Sequence, residues 1–293
     1  MSAETTSLLP LARACGSARL LRTVGRVLTY AFLVAGAGLM LLPLIWMVLV
    51  SVCENQQLFM IPPEWIPREP HWDNYPKSVT IFPFARYFLN TMVITGVAMI
   101  GQIAASTLVG YSFARLRWPG RNAFFVVMLA TMMVPPQVTM IPLYIIWRQF
   151  GALDTYAPLI IPGYFGSAYL IFLSRQFFSS IPAELEDAAR VDGCDYFTVY
   201  FRVMLPLSLP LVVTLALFSF VWHWNDFFGP LIYLQTPDKY TLQLGLRAFN
   251  GQYTTDTPLL MAAATLMTMP IILIFLFGQQ YFIKSIVLTG LKG

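Results

Sequence analysis

The chain has 293 residues, 57% of them hydrophobic and 11% charged, whereas soluble domains average roughly 25% charged. Too few charged side chains exist to give a soluble domain of this length a polar shell, so the composition excludes a water-soluble protein and reads as an integral membrane protein. The formal net charge of +4 is too small and too dispersed to mark a nucleic-acid binder.

In chain order, residues 1–25 are a polar, Arg-containing tail, residues 26–285 a transmembrane domain, and residues 286–293 a second short tail. Six apolar blocks fall at about 27–50, 88–113, 123–147, 156–178, 207–228 and 259–282. Each approaches or exceeds the ~20 residues that a helix needs to cross ~30 Å of hydrocarbon. The expected fold is therefore an all-α membrane protein with six transmembrane helices. Pro135, Pro136 and Pro142 are expected to interrupt the third block.

The first block is too long for a secretory leader and lacks a small-residue cleavage site. Val50-Ser51-Val52-Cys53 looks like a lipoprotein box, but Val52 is bulky where a small residue is required. Of the three cysteines, Cys15, Cys53 and Cys194, only Cys53 falls outside under the topology below, which leaves no internal disulfide. An N-terminus on the inside puts most Lys and Arg there, including Arg13, Arg19, Arg22, Arg26, Arg115, Arg117, Arg121, Arg190, Lys284 and Lys292. Both termini are then cytoplasmic.

The segment 51–87, rich in Pro, Trp and Tyr, is expected to lie across the outer interface. The segment 232–258 reads as a hairpin-like excursion into a partner. Within the spans, Asp226 is the acidic residue clearly at membrane depth, with His223 one helical turn before it. A proton relay or substrate contact is one reading of the pair, and capping of a broken helix near the outer end of span five is the other. Gln102 and Ser106 form a polar face that either lines a pathway or glues helices.

The loop 180–206 between spans four and five carries the densest charge of the distal half. Pro182 suits a helix start, Glu184, Glu186 and Asp187 suit the positive end of its dipole, and Gly193 suits its stop. Leu185, Ala188 and Ala189 are expected to share an apolar face, and Phe197, Tyr200, Phe201 and Met204 to repeat that periodicity in a second helix before Leu205-Pro206 redirects the chain. Such a helix either docks into a groove of a cytoplasmic protein or lies on lipid headgroups; its three carboxylates favour the protein.

Asp187-Ala188-Ala189, three residues to Gly193, nine more to Val203, then Leu205-Pro206 resembles the EAA loop of permease subunits in ATP-binding-cassette importers. The usual pattern is Glu-Ala-Ala, Gly, Ile and Leu-Pro at this spacing; Asp stands here for Glu and Val for Ile. Ile141-Pro142-Leu143-Tyr144, Trp224-Asn225-Asp226-Phe227 with Pro230-Leu231, and the terminal Lys292-Gly293 extend the resemblance to the second permease of carbohydrate-uptake systems, the maltose-permease type.

The resemblance implies a type I importer fold in a bacterial or archaeal cytoplasmic membrane. It implies a sugar or sugar derivative delivered by an extracytoplasmic sugar-binding protein, a second homologous permease, and two ATP-binding subunits that hold ATP and Mg. The ATPase contact would fall on Glu184, Asp187, Ala188, Ala189, Asp192 and Gly193, with Val203, Leu205 and Pro206 completing the motif.

Gly290, Lys292 and Gly293 correspond to a tail that enters the ATPase dimer, although a flexible end is an equal reading. Asn250, Gly251 and Gln252 correspond to a loop that reaches into the binding protein, although a solvated connector is an equal reading. No phosphate-binding G-x-x-x-x-G-K-[ST] loop is present, so ATP hydrolysis belongs to another chain. No catalytic residue, metal, cofactor or nucleic-acid partner is expected on this chain, and no residue is assigned to the substrate.

Overall fold

The computed structural model describes residues 9–59, 67, 69–249 and 256–290, with side chains from residue 23 to residue 280 within those ranges, except at residue 59. Among the described residues there are helices and turns and no strand. The long elements are α1 (Leu9–Ser51), α2 (Phe84–Arg115), α3 (Arg121–Ala130), α4 (Pro136–Gln149), α5 (Ala168–Ser180), α6 (Ala183–Val191), α7 (Leu209–Trp224) and α8 (Thr257–Gly290). Among the described residues, four helices are long and apolar enough to cross a membrane, at Thr23–Ser51, Phe84–Arg115, Ala157–Ser180 and Thr257–Gln280, and two bent pairs bring the number to as many as six.

The bends have local causes. Val134 and Pro135 are extended, with ψ of 116° and 135°, because a residue before proline is pushed out of the helical region. The helices on either side meet at 98°. Pro142, by contrast, sits inside α4 without breaking it, so the expected interruption falls at Pro135-Pro136 and not at Pro142.

The second bend, of 79°, lies between the Tyr196–Leu207 segment and α7. It falls at Ser208, whose buried hydroxyl donates back to the Met204 carbonyl at 2.7 Å, and the expected redirection at Leu205-Pro206 is displaced by two residues. Just before it, Tyr200–Met204 is a π-helical stretch that turns Tyr200 and Met204 inward while Phe197 and Phe201 stay 64% and 59% exposed. The four aromatic and Met positions therefore do not share a face as the sequence periodicity suggested. The outer end of the block 207–228 is also broken, because helix stops at Trp224 and resumes at Phe228–Tyr233.

The α2 helix is the hub, packed against α5, α7 and the Ile161–Phe165 turn. Two cores form at its ends. Tyr111, Leu170, Phe178, Val199, Tyr200, Met204 and Leu215 close the end that carries α6. Phe82, Tyr87, Phe220, Trp224, Leu242, Phe249 and Met267 close the other, where the Trp224 indole donates to the Met267 carbonyl at 3.0 Å.

Outside α2, contacts thin out. The α1 helix touches α8, but Phe32, Val34 and Met40 are 70–80% exposed, an apolar surface that only lipid or another membrane chain suits.

Segment 51–87 is tied down where it is described. The Asn74 amide donates to the Ser51 and Cys53 carbonyls at 3.0 and 2.9 Å. The expected excursion of 232–258 is not seen in its described part, because Leu242 is fully buried and its N–H donates to Thr91 Oγ1 at 2.9 Å. Thr241 to Leu246 fold back onto the bundle because their apolar side chains complete its core. Asn250, Gly251 and Gln252 lie outside the described residues.

Candidate functional site

The α6 helix starts one residue after Pro182, carries Glu184 and Glu186 in its first turn and Arg190 in its last, and so matches the helix dipole at both ends. It ends in a Schellman cap: Gly193, at φ +87°, donates to the Arg190 carbonyl and Cys194 donates to the Ala189 carbonyl, each at 3.0 Å. Asp195 then caps the next turn by accepting from the Thr198 N–H at 3.2 Å. Its bonds to Thr198 hold the Asp195 carboxyl below the usual carboxylate range.

The face that α6 turns inward is not the expected one. Leu185 is 44% exposed and Ala188 is exposed, while Glu186 is buried at 8%. Only Ala189 of the predicted apolar trio packs inward, together with Cys194 and Val203. Glu186 is accommodated because α2 delivers its partners. The Tyr111 hydroxyl donates to Glu186 Oε1 at 3.2 Å, and Arg115 Nε stands 3.8 Å from Oε2.

The Arg115 guanidinium also donates through Nη2 to the Phe178 carbonyl at 2.7 Å and to the Ile181 carbonyl. One side chain thus holds the end of α5, the turn after it and the carboxylate of α6. Glu186, Tyr111 and Arg115 were not singled out from the sequence as a set. The available signals were the i, i+4 spacing of Tyr111 and Arg115 and the position of Glu186 three residues before Ala189.

The outward face of α6 presents Glu184, Leu185, Asp187, Ala188, Asp192 and Gly193, with Val191 at its end 87% exposed. Beside it a cavity of about 590 Å³ is lined by Arg115, Arg117, Arg121, Glu186, Asp187 and Arg190, among others. The Arg190 guanidinium lies over the Tyr196 ring at 4.0 Å, an attractive arrangement with the ring face. Val203 and Leu205 are half-buried against the core and Pro206 is exposed. Gly290 is the last residue of α8, while Lys292 and Gly293 lie outside the described residues.

At the opposite end of α2, about 45 Å away along its axis, Asp154 gathers the loops. Its carboxylate accepts from the Gln235 and Thr236 N–H groups at 2.9 Å each, the Thr236 hydroxyl at 2.6 Å and Lys239 Nζ at 2.9 Å. Arg86 pairs with Asp238 at 2.6 Å.

Within the spans, Gln102 Oε1 lies 2.5 Å from Ser219 Oγ and 3.1 Å from His223 Nε2. Asp226 Oδ1 accepts from the Gly229 N–H at 3.0 Å, at the start of the Phe228–Tyr233 turn. Asp226 therefore closes a broken helix and His223 joins α7 to α2. The Ser106 hydroxyl likewise accepts from the Ser167 N–H at 3.2 Å.

A family described as "Binding-protein-dependent transport system inner membrane component" matches residues 106–287, which include α6 and its anchor. The chain is 32% identical over 275 residues to the probable ABC transporter permease protein YurM of Bacillus subtilis, covering 92% of this chain and 90% of that one. It is 33% identical over 207 residues to the arabinooligosaccharides transport system permease protein AraQ of Halalkalibacterium halodurans, covering 71% and 74%.

Its fold matches a chain from the crystal structure of a bacterial ABC transporter involved in alginate import, with a TM-score of 0.73 at 24% identity over 91% of this chain and 98% of that one. YurM and AraQ are both named as permease proteins. The chain belongs to the family of inner membrane components of binding-protein-dependent transport systems.

Proposed function

We propose that this chain is one membrane subunit of an ATP-driven importer of a sugar or sugar derivative. A binding protein outside the membrane delivers the cargo, a second homologous permease completes the pathway, and two ATP-hydrolysing subunits that hold ATP and Mg power it. The sugar assignment rests on relatives such as AraQ, which is named for arabinooligosaccharides.

Six passes with both termini inside are the arrangement we favour. Both bent helix pairs are then single broken spans. Support comes from the loops: Arg86, Asp154 and Lys239 gather at one end of α2 and Arg115, Arg121 and Arg190 at the other.

The observation that carries the proposal is the exposed carboxylate and apolar face of α6, presented on a helix whose opposite side is anchored by a buried ionic joint. Such a surface fits a cleft on a partner protein better than anionic lipid. In this reading Glu184, Asp187, Ala188, Asp192 and Gly193 contact the ATPase, and Ala189, Val203 and Leu205 hold the loop in shape. Closure of the two ATPase subunits on ATP would draw the two coupling helices together and rock the spans from inward-open to outward-open.

Ala188→Arg tests this reading. Ala188 is exposed, so the substitution leaves the chain's own packing intact. The expected result is a membrane-inserted chain that no longer stimulates its ATPase when the loaded binding protein is added. Full stimulation with the ATPase retained would overturn the proposal.

A further inference from the structure

We propose that Glu186, Arg115 and Tyr111 form the joint that makes α6 and α2 move as one body; they are positioning residues for the coupling step. The proposal rests on the importer reading above and deepens it. The backbone of α6 packs chiefly against the Tyr196–Val199 and Tyr200–Met204 segments that follow it in the chain. Val199, Tyr200 and Met204 of those segments are buried in the core beside Tyr111, and the Tyr200 hydroxyl lies 2.8 Å from Thr107 Oγ1 on α2, so they form a fixed base under α6. The Glu186 side chain adds the direct link from α6 itself to the last turn of α2.

The joint has three features of a stiff connection. First, both ionic side chains are only 11% exposed, and parting a buried carboxylate from its cation leaves an uncompensated charge. Second, Arg115 is already fixed by the Phe178 and Ile181 carbonyls, so its guanidinium cannot follow Glu186 away from the bundle. Third, the Tyr111 ring that aims the hydroxyl is wedged between Phe178 and Tyr200, at centroid distances of 5.7 and 5.3 Å.

A push on α6 is therefore delivered to the last turn of α2, and α2 is the helix that packs α5 and α7. Packed side chains, ion pairs and rigid helices in contact are what carries movement between distant sites.

Spin labels on the exposed residues Arg117, just beyond α2, and Val191, at the end of α6, report the joint directly. The measurement uses the complete complex in lipid nanodiscs, without nucleotide and with ATP plus vanadate. The wild-type distance is expected to be the same in both states. In Glu186→Ala it is expected to shift by more than about 2 Å, the scale of helix shifts in switching proteins, while the ATPase stays bound and hydrolyses ATP within about twofold of wild type.

A merely structural role would lower thermal stability without making the distance depend on nucleotide. If Glu186→Ala does not insert, Tyr111→Phe removes one hydroxyl and keeps the ring, and is expected to broaden the distance distribution with nucleotide. An unchanged distance in the intact variants, or a wild-type distance that moves with nucleotide, would overturn the joint. A wild-type chain that binds no ATPase would overturn the importer reading, and the joint with it.

Discussion

Lys239 Nζ lies 2.9 Å from Asp154 Oδ2, and the same nitrogen donates to the Asp154 backbone carbonyl. This pair fastens the loop after α4 to the loop before α8 at the end of the bundle opposite α6. Asp154 is held at φ +55°, in a region that Asn and Asp tolerate better than other side chains.

The pH dependence of stability follows from this cluster. Bonds from the Thr236 hydroxyl, from Lys239 and from two backbone N–H groups hold the Asp154 carboxyl well below the usual carboxylate range. A depressed carboxyl contributes stability above its unfolded pKa, about 3.9, and loses it as pH falls through the folded value. Asp154→Asn keeps the tolerated backbone and an acceptor but removes the charge.

With the side chain 25% exposed, the expected loss is about 1–2 kcal/mol. Thermal unfolding in detergent should show a gap of a few degrees between Asp154→Asn and wild type that is constant from pH 8 to pH 5 and narrows below about pH 4. A gap that persists unchanged into acid would rule out this account.

Close packing between α2 and α5 gives a second prediction. A β-carbon at Gly110 would overlap Ser174 Cβ and stand 3.1 Å from the Arg175 nitrogen. Gly110→Ala should therefore cost about 1–3 kcal/mol, the usual range for overpacking. Adding Ser174→Gly removes the nearest obstruction, and the double variant should unfold at a higher temperature than Gly110→Ala alone. Equal or lower stability of the double variant would place the strain elsewhere.

What the sequence made legible, and what it did not, follows from the range of the forces involved. The apolar blocks, the Gly193 stop and the break near Pro135 were legible because hydropathy, φ preference and proline geometry act over a few residues. The burial of Glu186 was not, because an acidic side chain turns inward only when a distant Arg115 and Tyr111 meet it. The same holds for Leu242 and its neighbours, which read as a loop excursion until the core formed by Phe82, Tyr87 and Trp224 is seen to need them. Pro142 misled in the opposite direction, since helix α4 continues through it.

Gly193 separates a conformational cost from a steric one. Nothing lies within 4 Å of a β-carbon built there, but the residue stands at φ +87°. Gly193→Ala should cost about 1–2 kcal/mol through backbone strain alone, Gly193→Asn less. Gly193→Pro should break the cap outright, because proline fixes φ near −65° and removes the N–H that Arg190 accepts. In all three variants membrane insertion should persist, and the substrate-stimulated ATPase activity of the complex should fall in the order Asn, Ala, Pro. Equal activity in the Pro variant would show that the shape of this cap does not matter to coupling.

Asp226 decides between ion coupling and helix closure. Its Oδ1 accepts from the Gly229 N–H at the break between α7 and the next turn, a task that a neutral amide oxygen performs as well. A β-carbon at Gly229 would run into the Asp226 carboxylate, so the pair is closely fitted. Asp226→Asn should therefore retain uptake within a few fold and keep the same pH profile, whereas Asp226→Leu leaves the N–H unmet, at about 1–3 kcal/mol, and should lower both stability and uptake. Uptake measured in proteoliposomes supplied with ATP and the loaded binding protein, with and without a proton gradient, checks this. An inactive but stably folded Asp226→Asn variant, or uptake that follows the gradient without ATP, would instead assign the carboxyl a titrating role.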